Sequence, residues 1–554
     1  MKQRFTNLVL LALAMMLPLV APGGLLRSAA AIEMGSQASG SQGAVVAGGA
    51  PAVAAGIRML RSGGNAADAA VATILALSVT DSKMFCFGGE VPIIVYDAKR
   101  RVVEVVAGMG TAPRLATLEH FQKAGHIPQT GPQSAAVPAT LDACLVTLDR
   151  YGTKRFAEVV QPALELLRSG PEAWHADLAR TLERLVAAEG KSKDRRRGLR
   201  LVADYFYRGP IARELDAWSR SAGGLLRYED LATHVTRVED PVTAEYRGYT
   251  VVKCGPWTQG PYVLQALRLL EGIDVHALGY NSPAMIHATV EAMKLAMADR
   301  DLYYGDPLFA DVPLEQLLSR SYADVRRPLI DPARASLAYR PGDPRAGADL
   351  APRSTLPKGM AAVVKDTTTC LAADAEGNVI AATPSGWDGV VAGKTGVWLG
   401  TRLQSFNIWP GHPNCIAPGK RPRITLTPTL VLKDGKPAWA ISVAGGDGQD
   451  QATLQMLIGA IDFGVSPVQA VTAPRFGTEH FVGSFGQTPP QLGSLLVTDK
   501  TDAKTQKALR DMGHRILHRA VPLWNPTMIR INRSGQRTLE AAGDPAAGRH
   551  AMAY

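Results

Sequence analysis

Two adjacent threonine hydroxyls, Thr367 and Thr368, stand two thirds of the way along a chain of 554 residues. They follow Asp366 and lead into a strand-like run from Cys370, a Glu376-Gly377-Asn378 turn and a second run, Val379 to Thr383. A threonine hydroxyl is a weak nucleophile until a base takes its proton. The pair therefore carries chemistry only if the fold supplies a base and a place for negative charge. Gly445-Gly446, after a run ending at Val443, reads on its own as a strand-end turn. Thr383 and Ser385 add hydroxyls at the end of the second run. Other chemistries fall away. The 11 histidines contain no HExxH pattern and no EF-hand loop is present, so no metal is expected. Gly389 to Thr395 imitates a phosphate loop but has three residues between its glycines where that loop needs four. No Gly-x-Ser-x-Gly elbow appears, which argues against a serine α/β-hydrolase. No cofactor is expected.

More spaced motifs accompany the threonines. Upstream lie Gly63-Gly64-Asn65-Ala66-Ala67-Asp68, Val137-Pro138, Tyr151-Gly152 and Gln161-Pro162-Ala163. Glu291 to Arg300 runs into Tyr304-Gly305-Asp306-Pro307. Downstream come Lys420-Arg421-Pro422, Thr427-Pro428-Thr429, Gly445-Gly446 and Asp544-Pro545. In this order, from about Gly43 to Tyr554, they resemble the γ-glutamyltranspeptidase (glutathione hydrolase) family of N-terminal-nucleophile hydrolases.

The resemblance implies a self-cleaving zymogen. Thr367 Oγ would attack the carbonyl of Asp366, and an N-to-O acyl shift followed by hydrolysis would release two chains. The freed α-amine of Thr367, with a reference pKa of about 7.7–8.0, could then serve as the base for its own hydroxyl. Gly445 and Gly446 match the family's oxyanion pair, Ser385 stands where a second threonine bonds the nucleophile, and Thr383 also matches. The implied fold is α+β, a four-layer αββα sandwich built by both fragments. The implied organisation is residues 1–31 as signal peptide, 32–366 as large subunit and 367–554 as small subunit, the two fragments remaining associated.

The acyl pocket departs from the family. Met109 stands where an arginine would grip an α-carboxylate, and Ser405 where an aspartate would grip an α-amine. Trp387 replaces an asparagine, and Ile424 and Thr425 replace a serine pair. Methionine does not replace a bidentate arginine, and each lost charge-assisted bond removes about 1.5–3 kcal/mol. Arg402, Arg423 and Trp387 could line a different pocket. Asn414 to Lys420 is short where a lid is longer in the family, and an open site favours hydrolysis over transfer. The expected function is a threonine amidohydrolase acting on a small-molecule amide or peptide, with glutathione as the family substrate. The alternatives are an amidase or acylase for an N-acyl amine, a β-lactam side chain or an oxamate-like amide, and a catalytically silent periplasmic binding homologue.

The elements that would position these residues are legible in part. Gly56 to Leu77 reads as helices around Gly63-Gly64, Val91 to Tyr96 as a strand, and Leu141 to Leu167 as helices broken near Gly152. Ser282-Pro283 starts a long helix to Asp301. Leu430 to Val443 is a hairpin around Asp434-Gly435, and Gln451 to Phe463 a helix. Residues 333–360, rich in Ala, Pro, Gly and Arg, read as a mobile segment. Length alone suggests two to four domains. Hydrophobic content of 46% fits a globular core. The net charge of +10 is scattered, and the one basic run, Lys191 to Arg200, reads as a solvated loop, so no nucleic-acid partner is expected. Lys2 and Arg4, an apolar run from Leu8 to Val20 and Ala29-Ala30-Ala31 read as a secretory signal rather than a stable membrane span. A periplasmic or secreted location follows. The five cysteines form no CxxC pair and give no disulfide framework.

Overall fold

Alternating apolar residues put strands back to back. The computed structural model describes residues 34–349, 367–386 and 389–554. Fourteen strands of these residues form two sheets: β1 Gln37–Gly40, β2 Gly43–Ala47, β3 Val91–Asp97, β4 Val102–Gly108, β5 Arg237–Glu239, β6 Val242–Tyr246, β7 Tyr249–Lys253, β8 Cys370–Asp374, β9 Val379–Ala382, β10 Thr429–Lys433, β11 Lys436–Ala444, β12 Asn525–Asn532, β13 Thr538–Gly543 and β14 His550–Ala553. One sheet has the order β1-β13-β12-β11-β10-β7-β6, the other β14-β2-β8-β9-β3-β4-β5. Every pairing within the two sheets is antiparallel.

The period of two along each strand divides its apolar residues between two cores. Val252, Leu430, Ala440 and Ile529 of the first sheet join Val46, Ile94, Leu371 and Ala381 of the second in one buried cluster. Their neighbours Val251, Val431, Ile441 and Met528 face the other way, into a cluster shared with helices. β8 and β9 are buried at every residue, which their unbroken Cys-Leu-Ala-Ala and Val-Ile-Ala-Ala runs explain.

Six helices matter to the site: α1 Ala50–Arg61, α2 Ala66–Thr80, α3 Thr140–Tyr151, α4 Pro261–Glu271, α5 Pro283–Tyr303 and α6 Gln449–Asp462. Asn65 caps α2 by accepting from Ala67 N and Asp68 N, while Asp68 accepts from Asn65 N at 2.9 Å. The same Asp68 takes the N–H groups of Thr153 and Lys154, and Asp374 takes Ala66 N at 2.8 Å. The Gly-Gly-Asn-Ala-Ala-Asp motif is thus a helix start tied to the end of β8. Ser282 caps α5 with Pro283 at its first turn, as its sequence predicts. The hairpin β10–β11 turns on Asp434 and Gly435, both at positive φ.

Two expectations need correction. Residues 35–554 form one compact unit rather than two to four domains, because strands from distant parts of the chain share each sheet. Residues 333–349 are held rather than loose: Ala335 and Tyr339 are buried, and Tyr339 Oη donates to Asp301 at 3.1 Å. Residues 350–360, like the expected signal segment and its Ala29-Ala30-Ala31 cleavage site, lie outside the described residues. No helix among the described residues is long and apolar enough to cross a membrane. All five cysteines are free thiols.

Candidate active site

The hairpin β8–β9 sets the first contact. Its register pairs Cys370 with Ala382, and three more steps outward bring Thr367 opposite Ser385. Their hydroxyl oxygens lie 3.4 Å apart. The 18-residue spacing is therefore a consequence of strand register. Thr367 is 3% exposed, and Arg549 donates to its carbonyl at 3.3 Å. Thr368 N donates to Pro384 O at 3.0 Å, which closes the open end of the hairpin.

Ser385 is held from outside the hairpin. Its backbone exchanges two hydrogen bonds with Glu90, at 2.9 and 3.1 Å. Its hydroxyl accepts from Arg402 Nη2 at 2.7 Å, and Arg402 Nε donates to Glu90 Oε1 at 2.7 Å. Arg402 and Glu90 are each buried. Thr383 pairs with Ser442 at 2.9 Å and so joins β9 to β11.

Gly445 and Gly446 follow β11, at φ of 139° and 58°. Both values lie where only glycine sits without strain. The Gln449 amide lies between this turn and the threonine. With its nitrogen toward Val443 O, 2.7 Å away, its oxygen accepts from Gly446 N at 3.3 Å. In the opposite orientation the nitrogen reaches Thr367 Oγ1 at 3.5 Å and Thr425 Oγ1 at 3.4 Å. Such amide orientations are assigned from the hydrogen-bond network. The amide thus engages Val443 and Gly446 in one orientation, and Thr367 and Thr425 in the other.

The glycine turn is anchored by buried charge. Asp447 accepts from Arg300 Nη1 at 2.7 Å and from Ser484 N and Oγ at 2.9 and 2.6 Å. Arg300, on α5, also binds Asp301 at 2.7 Å. Three residues after Asp447, Asp450 pairs with Lys253 at 2.7 Å with neither side chain exposed. Burial pushes the Asp450 carboxyl up to about 6 against the pull of Lys253, and pushes the Lys253 ammonium down. Lys253 also donates to Thr427 O and Thr429 Oγ1, and Arg421 pairs with Asp306. The Thr-Pro-Thr, Lys-Arg-Pro and Gly-Asp-Pro motifs are therefore supports.

A cavity of about 960 Å³ opens beside Gly445 and Gly446. Its walls carry Trp398, Phe481, Phe485 and Trp524, with Lys83 and an Arg519–Glu479 pair among the polar residues. Of the residues singled out in the sequence, only the two glycines line it. Met109 is buried in the cluster between the sheets. Ser405 is fully buried, its carbonyl accepting from Asn414 Nδ2 at 2.7 Å, its hydroxyl with no recorded partner. Asp366 and Trp387 lie outside the described residues. Glu90, Asp447, Gln449 and Trp524 were not evident from sequence. Glu90 is the one with a visible signal, a lone acid between the apolar runs Phe85-Cys86-Phe87 and Val91-Pro92-Ile93.

One group of possible metal ligands exists among the described residues. His287, Glu291 and His514 present atoms within 4.8 Å of one another. Glu291 is already matched by Lys294 at 2.6 Å and Arg340 at 3.3 Å, and His287 Nδ1 is 2.8 Å from His514 Nε2. Two cations facing one carboxylate make the group unfavourable for a divalent ion.

Known proteins resemble this chain in sequence and fold. The γ-glutamyltranspeptidase family model matches residues 52–175 and 171–554. The acylase ACY 1 proenzyme of Pseudomonas sp. (strain SE83) is 32% identical over 544 residues, covering 90% of this chain and 92% of its own. The glutathione hydrolase proenzyme of Escherichia coli (strain K12) is 31% identical over 483 residues, covering 78% and 80%. The crystal structure of cephalosporin acylase from Bacillus halodurans superposes with a TM-score of 0.78 at 26% identity, covering 98% of this chain and 99% of its own.

Proposed function

The chain belongs to the γ-glutamyltranspeptidase family, and on that premise we propose that it is a self-cleaving amidohydrolase of acylase type with Thr367 as its nucleophile. The observation that carries this reading is the contact of Thr367 Oγ1 with Ser385 Oγ at 3.4 Å. Cleavage at Asp366–Thr367 yields fragments 32–366 and 367–554. Both contribute to a four-layer αββα sandwich, with helices outside the two sheets. Residues 1–31 direct export to the periplasm or beyond.

The proposed chemistry balances within one residue. The Thr367 α-amine takes the hydroxyl proton as Oγ attacks a substrate carbonyl. Gly445 and Gly446 N–H groups receive the oxyanion, a type of contact that contributes about 2.7–4 kcal/mol where measured in other enzymes. The α-ammonium returns its proton to the departing amine, and water then hydrolyses the ester on Oγ. Gln449 must swing off Gly446 as the carbonyl enters.

The cavity favours an acylase over a glutathione hydrolase. Four aromatic side chains beside the glycine turn suit a bulky, largely apolar group. Met109 and Ser405 offer no charge to a zwitterionic γ-glutamyl group. The short Asn414–Lys420 segment supports hydrolysis over transfer. The test is intact mass and a denaturing gel of the purified protein beside Thr367→Ala, followed by an amide panel of glutathione, N-arylacyl amines, a β-lactam and oxamate. Two fragments in the wild type, one chain in the variant, and turnover of an arylacyl amide above glutathione are expected. An uncut wild type would instead favour a silent binding homologue.

A further inference from the structure

We propose that Arg402, braced by Glu90, is a positioning residue that holds the Ser385 hydroxyl by a donated hydrogen bond, so that its proton can turn to Thr367 Oγ when that oxygen gives up its own. The inference rests on the reading of Thr367 as nucleophile.

A guanidinium has donors and no acceptor. With Arg402 Nη2 at 2.7 Å, the Ser385 oxygen must accept there. In the resting geometry Thr367 Oγ1 donates to the same oxygen at 3.4 Å, and once that proton has left, the Ser385 proton can turn to the Thr367 oxygen. This polarity matters. If the Thr367 hydroxyl gives its proton to its own α-amine, its oxygen needs a donor to stabilise the charge that develops. Ser385 supplies that donor and keeps its own proton throughout. When the ester is hydrolysed, Oγ takes its proton back from the α-ammonium, and Ser385 again only donates a hydrogen bond.

Serine needs such help more than threonine does, because it lacks the second branch that restricts χ1. Arg402 provides the missing restraint from outside. Its own direction is fixed by Glu90 Oε1, 2.7 Å from Nε, and by Phe485, whose ring centroid lies 5.8 Å from the guanidinium carbon. Glu90 also matches its charge, as a buried arginine requires. Because the Glu90 backbone is bonded to that of Ser385 in both directions, acid, arginine and serine move together. Ser385 and Arg402 are on one fragment of the proposed cleavage and Glu90 on the other, so the brace spans the junction.

Self-cleavage uses the same Thr367 hydroxyl. There the nitrogen is still the Asp366–Thr367 amide and takes the hydroxyl proton as its C–N bond breaks. Oγ needs the Ser385 donor in that step too, so the rate of cleavage is the readout. Full-length chains carrying Arg402→Lys, Arg402→Met, Ser385→Ala and Ser385→Ala with Arg402→Lys are followed on denaturing gels after synthesis. Ser385→Ala and Arg402→Met should each slow cleavage by about 10-fold or more, with Arg402→Lys between them and wild type because it keeps a donor. The double variant should be within about twofold of Ser385→Ala, since residues acting through one contact are not additive. Additive losses, or an Arg402→Lys rate equal to wild type, would overturn the inference, and Arg402 would be a structural or substrate-facing group. Thr367→Ala in the same series separates the two claims. If it still cleaves, the nucleophile reading fails. If it does not and the losses add, only the role of Arg402 fails.

Discussion

Gly445 shows how little room the proposed site leaves. A Cβ built on it would stand 2.4 Å from Trp524 Cδ1, and its φ of 139° is strained for any other residue. Gly445→Ala should therefore displace the turn and lower turnover and self-cleavage by about 10²-fold or more, the usual cost of losing an oxyanion donor. A rate within twofold of wild type would remove the turn from the chemistry. Met109 leads to a different expectation. It is a member of the cluster between the sheets and is 3% exposed. Met109→Arg should not create a γ-glutamyl pocket, because it places an unpaired cation in that core. A loss of about 3–5 kcal/mol is expected, as for other uncompensated buried charges. Thermal melting and a γ-glutamyl-p-nitroanilide assay would check both parts.

At the scale of elements, acid should loosen the contacts around residues 478–494. His480 is buried with its neutral form saturated: Gly493 N donates to Nδ1 at 3.0 Å, and Nε2 faces Ala338 O at 3.1 Å. Burial, with Lys294 and Arg340 nearby, pushes its pKa down to about 3. Burial does the same for His514, beside Lys294 and His287, also to about 3. An unfolded histidine binds its proton near pH 6.5. Below that pH the unfolded chain holds protons the folded one refuses, so stability falls between about pH 6.5 and 3, by up to ~1.4 kcal/mol per unit for each histidine. A melting temperature that drops from pH 7 to 4, with a shallower slope in His480→Gln, is the expected result. A slope unchanged in the variant would place the proton uptake elsewhere. What the sequence makes legible here follows distance along the chain. The hairpin β8–β9, the Ser282 cap and the Asp434-Gly435 turn are local, and each was readable from neighbouring residue types. Glu90 with Arg402 and Lys253 with Asp450 are pairs 312 and 197 residues apart, which no local pattern encodes. The supporting motifs were visible, but the partner that each one holds was not.

The whole molecule explains both the failed domain count and the last prediction. Cutting before Thr367 divides the strands into β1–β7 and β8–β14, yet neither sheet divides that way. In one, β1 and β7 flank the later strands through β1–β13 and β10–β7. In the other, β14–β2, β2–β8 and β9–β3 join the two parts. The expectation of two to four domains rests on length alone, and interleaving of strands leaves no mark on length or composition. Physically, separation after cleavage would expose five ladders of backbone N–H and C=O groups and split the core between the sheets. It would also break the Arg402–Glu90, Lys253–Asp450 and Arg300–Asp447 bridges, since each of them crosses the cut. Desolvated pairs broken from one side cost about 3–5 kcal/mol each in other proteins. The two fragments should therefore elute together from a sizing column in native buffer, including at 1 M salt, where exposed ion pairs are screened but buried ladders are not. They should part only in denaturant, and residues 367–554 produced alone should fail to fold cooperatively. Elution of two separate folded fragments in native buffer would contradict the sheet order itself. Because the strands on either side of the cut are already held, cleavage has only to free the amine of Thr367, and the hydroxyl beside it stays against Ser385.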